Sequence, residues 1–599
     1  MPGRDSDDSF TRRNTSIRIY IQDTISENVA GPIRRFSEDY KWAYLDLLAV
    51  VVGVAGGVGA IVFRNVIEFI NTLFFSGMLP HAPSPYFVIL LPVIGGLIVG
   101  PIVYILAPEA KGHGVPQIME SLYRGGGQIR KRVGFILICA SAITIGSGGS
   151  AGREGPIAQI GASFGSLVGQ ICRLGPRDLK LLTVCGVAAG IAGTFNAPMG
   201  GAVFGMEVVS RRFSPYDAVP ILLAAVVGTA VAGGLINPTP AFVNPEFVFT
   251  THDLAICFIL GPLFGVLAFL WVKTFYLFED GFDALRVPKT LKPAIGGIIA
   301  GISGYYLFEY GIMGVGYDGI NKVFEMASAP GSESLLILLI GLGVLKILAT
   351  SFTVGSGGSG GVFAPSLYIG AMLGVAFGLI LVRLLPEIAI DPSAYGLLGM
   401  GAFFAGAARA PLTCIVMIPE MASNYSRLPP LIISCILSYA VAQILLRGGS
   451  LYTLKLMRKG IYLDQPQPVL SQVPISKVMV HEVMTVTPQT PVFDVRENIM
   501  RYNHTGFPVM DEGRLKGMIT FDDIRNVPLD VQKKTPAGDM ATKNVITVHP
   551  DQSAKYAMDL MYQNGIGRLP VVSRDDPGKV VGIITRTDAI RAYEIAVER

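Results

Sequence analysis

Short apolar segments recur up to about residue 462, and glycine or proline interrupts most of them. Several, such as residues 135–145 and 371–384, are shorter than the ~20 residues that a straight transmembrane helix requires. The composition points the same way, because 51% of the residues are hydrophobic and only 15% are charged. We therefore expect a chain that crosses a membrane several times through broken or tilted helices.

One glycine-rich segment occurs twice. The sequence GSGGSAGREGP at residues 146–156 is nearly repeated as GSGGSGGVFAP at residues 355–365, which is 209 residues later (355 − 146). Matched segments at this distance predict two homologous halves, at about residues 42–236 and 250–462. An odd number of crossings between the halves would invert one relative to the other, as in transporters that bind their substrate at mid-membrane.

A second pair of matched positions supports the duplication. Pro198 and Glu207 correspond to Pro411 and Glu420, each at an offset of 213 (411 − 198). We interpret the two glutamates as parts of a buried structural network.

The glycine and proline residues indicate helix starts with uncovered backbone amides. Proline fits the first helical turn, and glycine leaves neighbouring N–H groups accessible. An anion inside a membrane loses hydration worth tens of kcal/mol by Born estimates, so it requires several such donors and helix ends. The alternative is that small residues only let helices pack closely, but two matched copies favour an anion site. The predicted helix starts contain Pro116, Pro156, Pro198, Pro365 and Pro411.

These motifs resemble those of the CLC family of chloride channels and proton-coupled chloride exchangers. GREGP at residues 152–156, GVFAP at residues 361–365 and Tyr452 after the last long apolar segment carry the resemblance, which covers about residues 41–462. It implies an all-α polytopic membrane protein with two inverted repeats, the CLC fold. It also implies a homodimer in which each subunit has its own anion pathway.

The resemblance assigns a role to individual residues. Glu154 is the expected gate, because its carboxylate can occupy the anion site until it is protonated or displaced, and a purely structural glutamate at membrane depth is costly. Tyr452 is expected to offer its hydroxyl group to the central ion, and Arg153 to set the electrostatic field near the outer vestibule. The other expected anion-binding residues are His113, Gly114, Gly155, Val362, Phe363 and Ala364.

The first signature departs from the family pattern at His113. The family sequence G-S-G-I-P usually places a serine hydroxyl against the central ion, whereas residues 112–116 read GHGVP. Either the imidazole donates an N–H to the anion, which would make conduction sensitive to pH, or it turns aside and the backbone amides act alone.

A second departure concerns proton coupling. Exchangers of the family commonly carry an inner glutamate directly after the position of Glu207, where this chain has Val208. The valine favours a passive, voltage- or pH-gated chloride channel, with a proton-coupled chloride exchanger as the alternative. The candidates for a proton pathway are Glu154, Glu207 and Val208.

The chain changes character near Tyr462. Residues 483–500 and 545–561 resemble each other, and the region resembles a tandem pair of CBS domains, a cytosolic α/β module that often binds adenine nucleotides. We expect a linker at 463–476, a first copy at 477–535 and a second at 536–599. Candidate contacts to ATP, ADP or AMP are Thr520, Asp523, Thr585 and Asp588, although these aspartates would equally serve as helix caps.

Other classes of function are disfavoured. The net charge of +4 is too small to indicate nucleic acid binding. A divalent-cation transporter would require a ring of intramembrane carboxylates, and the repeated motifs hold only Glu154, Glu207 and Glu420. We predict no enzyme, catalytic residue, metal site or required cofactor, with chloride as the transported ion. The expected location is the plasma or inner membrane, with residues 1–41 and the C-terminus in the cytosol.

Overall fold

The chain divides into two compact units, Met1–Tyr462 and Leu463–Arg599. The computed structural model describes residues 40–235, 242, 250–327, 335–388, 390–461, 473–502 and 504–589. Almost all of the predicted N-terminal segment and most of the predicted linker lie outside these ranges, and the domain boundaries given above stay predictions.

The first unit consists of α-helices. Those of its first half are α1 (Lys41–Asn71), α2 (Leu91–Pro101), α3 (Val115–Arg124), α4 (Val133–Gly146), α5 (Glu154–Ile171), α6 (Pro176–Phe195), α7 (Pro198–Phe204) and α8 (Pro215–Leu235). Helices α1, α2 and α7 continue as wider π-helical turns at Thr72–Met78, Ile102–Leu106 and Gly205–Ser210. Close approach of α1 to α8 depends on small residues, because a Cβ atom on Gly57 would lie 2.7 Å from the carbonyl oxygen of Gly228.

The second half has the same sequence of elements and one extra helix. They are α9 (Thr251–Ala284), α10 (Lys292–Leu307), α11 (Tyr317–Ala327), α12 (Leu336–Gly355), α13 (Phe363–Leu384), α14 (Pro392–Ala408), α15 (Pro411–Ala422), α16 (Leu428–Leu445) and α17 (Thr453–Arg458). Equivalent helices have equivalent neighbours: α1 packs on α6 and α8 as α9 packs on α14 and α16, and α5 packs on α6 as α13 packs on α14. Such matched packing is expected of two homologous halves.

The two halves meet at a local two-fold axis. The N–H of Gly152 donates to the carbonyl of Gly361 at 2.7 Å, and the N–H of Gly361 donates to the carbonyl of Gly152 at 2.6 Å. These glycines are equivalent in the repeat, since they are 209 residues apart (361 − 152). An antiparallel bridge between equivalent residues requires a two-fold relation, so one half is inverted relative to the other.

Many helices of this unit are too short to cross a bilayer alone. The part of the chain that the structure describes has eight helices long and apolar enough to span a membrane. Helices such as α4 and α7, with 14 and 7 residues, fall short of the ~20 required. The expectation of broken membrane helices is therefore confirmed, and the helix ends at these breaks are where backbone donors become available.

The second unit contains two copies of a small α/β motif. Its elements are α18 (Val492–Tyr502), β1 (Gly506–Asp511), β2 (Arg514–Thr520), α19 (Phe521–Ile524), α20 (Leu529–Gln532), α21 (Ala537–Met540), α22 (Ala554–Gln563), β3 (Arg568–Val572) and β4 (Val580–Thr585). Strands β1 and β2 form one antiparallel hairpin, and β3 and β4 form the other. A separate apolar core lies beneath each hairpin.

Each copy also contributes backbone hydrogen bonds to the hairpin of the other copy. Thr542, from the start of the second copy, exchanges backbone hydrogen bonds with Met518 of the first hairpin at 2.9 and 3.0 Å. Val480, which precedes the first hairpin, exchanges the equivalent bonds with Ile583 of the second at 2.9 and 3.0 Å. Because strand edges are shared in both directions, we expect the two copies to unfold as one cooperative unit.

Candidate functional site

Three helix starts converge where the two halves of the first unit meet. The segment before α3 bonds to the segment before α13, since the N–H of Gly112 donates to the carbonyl of Gly358 at 3.1 Å. The segment before α5 joins the same group through the Gly152–Gly361 bridge. Close contact between α3 and α5 requires glycine, because a side chain at Gly155 would overlap the carbonyl oxygen of His113.

Glu154 is the first residue of α5, and its carboxylate lies at the start of α13 in the other half. Its Oε2 atom accepts a hydrogen bond of 3.3 Å from the backbone N–H of Ala364, and its Oε1 atom accepts one of 2.7 Å from the hydroxyl of Tyr317. The side chain folds back over Gly152, where any added Cβ atom would collide with the carboxylate. Only 1% of the Glu154 surface is exposed, so a negative group occupies the amide end of a buried helix.

Phe363 begins a series of aromatic contacts that leads away from Glu154. Its ring centroid lies 4.5 Å from that of Phe404, which in turn lies 6.3 Å from the ring of Tyr452. The ring of Tyr452 lies 5.6 Å from that of His113. Phe363, Tyr452 and the neighbouring Val362 and Ala364 are all buried. The structure therefore brings residues of the GHGVP, GREGP and GVFAP segments together with Tyr452.

His113 is buried among aromatic rings, with 1% of its surface exposed. Its ring lies 5.8 Å from Phe275 and 5.6 Å from Tyr452. Neither ring nitrogen has a hydrogen-bond partner within the described part of the chain. The flanking Gly114 has a φ of +81°, which favours glycine and sets the turn into α3. A buried imidazole without a partner is costly, so this site is suited to a ligand that accepts or donates a hydrogen bond.

A cavity of about 770 Å³, here called the vestibule, borders the site on the side of Tyr317. Its wall includes Arg153, Phe195 and Tyr317, whereas Glu154 does not reach it. The guanidinium carbon of Arg153 lies 5.6 Å from the centre of the Tyr317 ring. Arg153 therefore lies at the wall of a cavity, and its role in setting the electrostatic field stays a prediction.

Glu207 and Glu420 have reciprocal positions. The carboxylate of Glu207 accepts from the N–H groups of Leu412 and Thr413 at 3.0 and 2.7 Å. The carboxylate of Glu420 accepts from the N–H groups of Met199 and Gly200 at 3.1 and 2.6 Å. Each half therefore supplies the acid that caps a short helix of the other half, α15 or α7. Val208, beside Glu207, is buried.

The reciprocal caps predict a paired result. We expect Glu207→Gln and Glu420→Gln each to lower the stability of the protein by roughly 1 kcal/mol, because each weakens a charged cap. Thermal melting in detergent measures this loss, and flux in liposomes measures any change in coupling. If Glu207→Gln stopped proton movement that accompanies chloride flux and Glu420→Gln did not, Glu207 would be a proton relay and not only a helix cap.

The candidate nucleotide-binding residues form hydrogen bonds with each other, within each Thr-x-x-Asp segment. The carboxylate of Asp523 accepts from the N–H and the hydroxyl of Thr520 at 2.8 and 2.7 Å. Asp588 accepts the same pair of bonds from Thr585 at 2.9 and 2.7 Å. Both aspartates therefore have the geometry of helix caps, and a bound ribose would have to share or replace these bonds.

Tyr317 is a site residue that the motifs did not identify. It follows Gly314 and Gly316, whose φ values of +62° and +97° match those of Gly112 and Gly114 before α3, +86° and +81°. The repeated glycine spacing before a helix start is the signal in the sequence that marks this region. The hydroxyl of Tyr317 has no such signal, because its partner is 163 residues away.

The fold and the site together define an integral membrane anion transporter with inverted repeats. The family description "Voltage gated chloride channel" matches residues 95–443, and the description "CBS domain" matches residues 475–530 and 537–595. The chain therefore belongs to the CLC family, as a multi-pass membrane protein with a tandem CBS pair. It is a transport protein and not an enzyme.

The names of similar proteins include both a chloride channel and chloride–proton exchangers. The chain is 32% identical over 432 residues to the "H(+)/Cl(-) exchange transporter ClcA" of Vibrio vulnificus, covering 70% of this chain and 90% of that protein. It is 28% identical over 628 residues to the "Chloride channel protein CLC-f" of Arabidopsis thaliana, covering 90% and 78%. The crystal structure of a slow cyanobacterial Cl⁻/H⁺ antiporter matches with 28% identity and a TM-score of 0.60, covering 69% of this chain and 97% of that one.

Proposed function

We propose that the protein exchanges chloride for protons across the membrane, with Glu154 as the gate and proton acceptor. The observation that carries this proposal is the position of the Glu154 carboxylate at the Ala364 amide. A chloride ion requires the same N–H donor, so the carboxylate and the ion compete for one place. Protonation would remove the negative charge that holds Glu154 there and admit the ion.

Exchange is favoured over the passive channel that Val208 indicated. Several relatives bear the name of chloride–proton exchangers, and so does the matched cyanobacterial structure. The absence of an acid at Val208 concerns the inner end of the proton route only, whereas the outer acceptor, Glu154, is present. We propose that the vestibule faces the exterior of a plasma or inner membrane, with both chain termini in the cytosol.

Liposomes loaded with chloride test this proposal. With the membrane potential clamped by potassium and valinomycin, we expect outward chloride flow to acidify the interior from an initially equal pH. Chloride efflux without proton movement would show passive conduction, and the protein would then be a chloride channel.

The inner part of the anion route is proposed to run past Tyr452 and His113. The phenol hydroxyl and an imidazole N–H are uncharged donors, which bind an anion without holding it as firmly as a lysine or arginine would. The unpartnered ring nitrogens of His113 support this role, and the Discussion gives its test.

We propose two further features on the basis of the family. The first is a homodimer with one anion route per subunit, for which light scattering of the detergent-solubilised protein should give twice the monomer mass. The second is an adenine nucleotide in the CBS pair, near Thr520, Asp523, Thr585 and Asp588. Millimolar ATP should then raise the melting temperature of the full-length protein, and equal melting with and without ATP, ADP and AMP would exclude it.

A further inference from the structure

Tyr317 stands between the gate and the vestibule. Its hydroxyl donates to the Oε1 atom of Glu154 at 2.7 Å, and its own side chain forms part of the vestibule wall. Glu154 is buried behind it. A carboxylate that swings from the Ala364 amide toward the vestibule must therefore break the hydrogen bond to Tyr317.

We propose that Tyr317 is a positioning residue that latches the ionised Glu154 in the anion site and so sets the pH at which transport begins. The proposal deepens the proposed function, since it concerns the same gate. A hydrogen bond from a neutral hydroxyl to a carboxylate is stronger than one to a carboxylic acid. The latch therefore favours the charged, seated state of Glu154 and is weakened when the acid is protonated.

Aromatic and cationic groups fix the ring of Tyr317. It lies 5.5 Å from the ring of Phe242 and 6.3 Å from that of Phe195, both in edge-to-face contact. The guanidinium of Arg153 lies over the ring at 5.6 Å. These contacts hold the ring without using its hydroxyl, so the hydroxyl can serve Glu154.

Lys346 fixes the backbone that leads to Tyr317. It lies in α12 with 0% of its surface exposed. Its Nζ atom donates to the carbonyl oxygens of Gly311, Ile312 and Gly314 at 3.0, 3.0 and 3.1 Å. These three acceptors satisfy all three donors of the ammonium group. A buried ammonium with a full set of carbonyl partners is costly to displace, so the segment is held in place.

Tyr368 of α13 adds a second anchor to the same segment. Its hydroxyl donates to the carbonyl of Tyr310 at 2.5 Å, and its ring lies 5.0 Å from the Nζ atom of Lys346. The segment from Tyr310 to Tyr317 is thus tied to the helix that also presents the Ala364 amide. Movement of the latch relative to the anion site is thereby restricted.

Other ionisable groups near the latch also influence its pH dependence. Two cationic groups act on the Glu154 carboxylate: Arg153, which precedes it in the chain, and the buried Lys346. The charged residues of the vestibule wall are Arg64, Glu68, Arg153, Glu309 and Asp318. The substitution Tyr317→Phe changes none of these charges, so its effect isolates the hydroxyl.

The test is the pH profile of chloride flux in liposomes containing Tyr317→Phe. Phenylalanine keeps the ring contacts and removes only the latch. We expect half-maximal flux to move to higher pH by roughly one to two units, the effect of losing one hydrogen bond to a charged group. The matched control is Tyr395→Phe, which removes a buried tyrosine hydroxyl that donates to Asp253 at 2.6 Å. Its pH profile should stay at the wild-type position.

An unshifted profile for Tyr317→Phe, or an equal shift for Tyr395→Phe, would overturn the latch. Tyr368→Phe provides a second variant, because it frees the carbonyl of Tyr310 without changing a charge, and the loosened segment should move the profile in the same direction. If that variant fails to fold, the result for Tyr317→Phe decides alone. The readout is chloride flux, so a shifted profile without coupled proton movement would keep the latch and reject only the proposed exchange.

Discussion

Replacing Glu154 with glutamine is expected to abolish proton movement and to remove the pH dependence of chloride flux. Glutamine is neutral at every pH, so it mimics the protonated gate and cannot compete as an anion for the Ala364 amide. We expect chloride flux to persist across the pH range, while chloride-driven acidification falls to the level of empty liposomes. Chloride and proton fluxes recorded on the same vesicles measure both effects.

The control for this experiment is Glu420→Gln, which neutralises a partly buried glutamate that caps α7. Its transport should keep the wild-type pH profile and coupling, because it lies outside the proposed anion route. Persistent pH gating or proton coupling in Glu154→Gln would remove Glu154 from its proposed role.

A second large effect is expected at His113. In His113→Phe the ring contacts with Phe275 and Tyr452 can be kept, but the N–H donor is lost. We expect chloride to bind roughly 10- to 100-fold more weakly, which corresponds to one hydrogen bond to a charged group. Isothermal titration calorimetry of the purified protein measures this affinity.

His113→Ser separates the loss of a donor from a change in packing. Serine restores the hydroxyl that the family usually has at this position, so its affinity should exceed that of His113→Phe. Equal chloride affinity in wild type and His113→Phe would mean that the imidazole turns aside and that the backbone amides act alone.

The site could be predicted from sequence wherever a repeated motif marks a helix start. The matched segments that contain Glu154 and Phe363 predicted two halves with facing helix ends, and the structure places the Glu154 carboxylate one residue beyond Phe363, on Ala364. The local two-fold axis follows from the same repeat. Backbone donors are predictable in this way because glycine and proline determine where helices begin.

Contacts that depend on the tertiary fold could not be predicted. The offset of 213 residues (420 − 207) matches Glu207 with Glu420. It does not predict that each glutamate caps a helix of the other half, because that contact depends on how the halves dock. Lys346 looks like an isolated charge within an apolar helix, and its three carbonyl partners lie 32 to 35 residues away. Tyr317 and His113 similarly obtain their surroundings from several distant helices.

The competition between Glu154 and chloride is tested most directly by crystals grown in bromide. The account predicts an anomalous bromide peak within hydrogen-bond distance of the Ala364 amide in Glu154→Gln, and no peak there while wild-type Glu154 is seated. A peak at this amide in both proteins, or in neither, would contradict it.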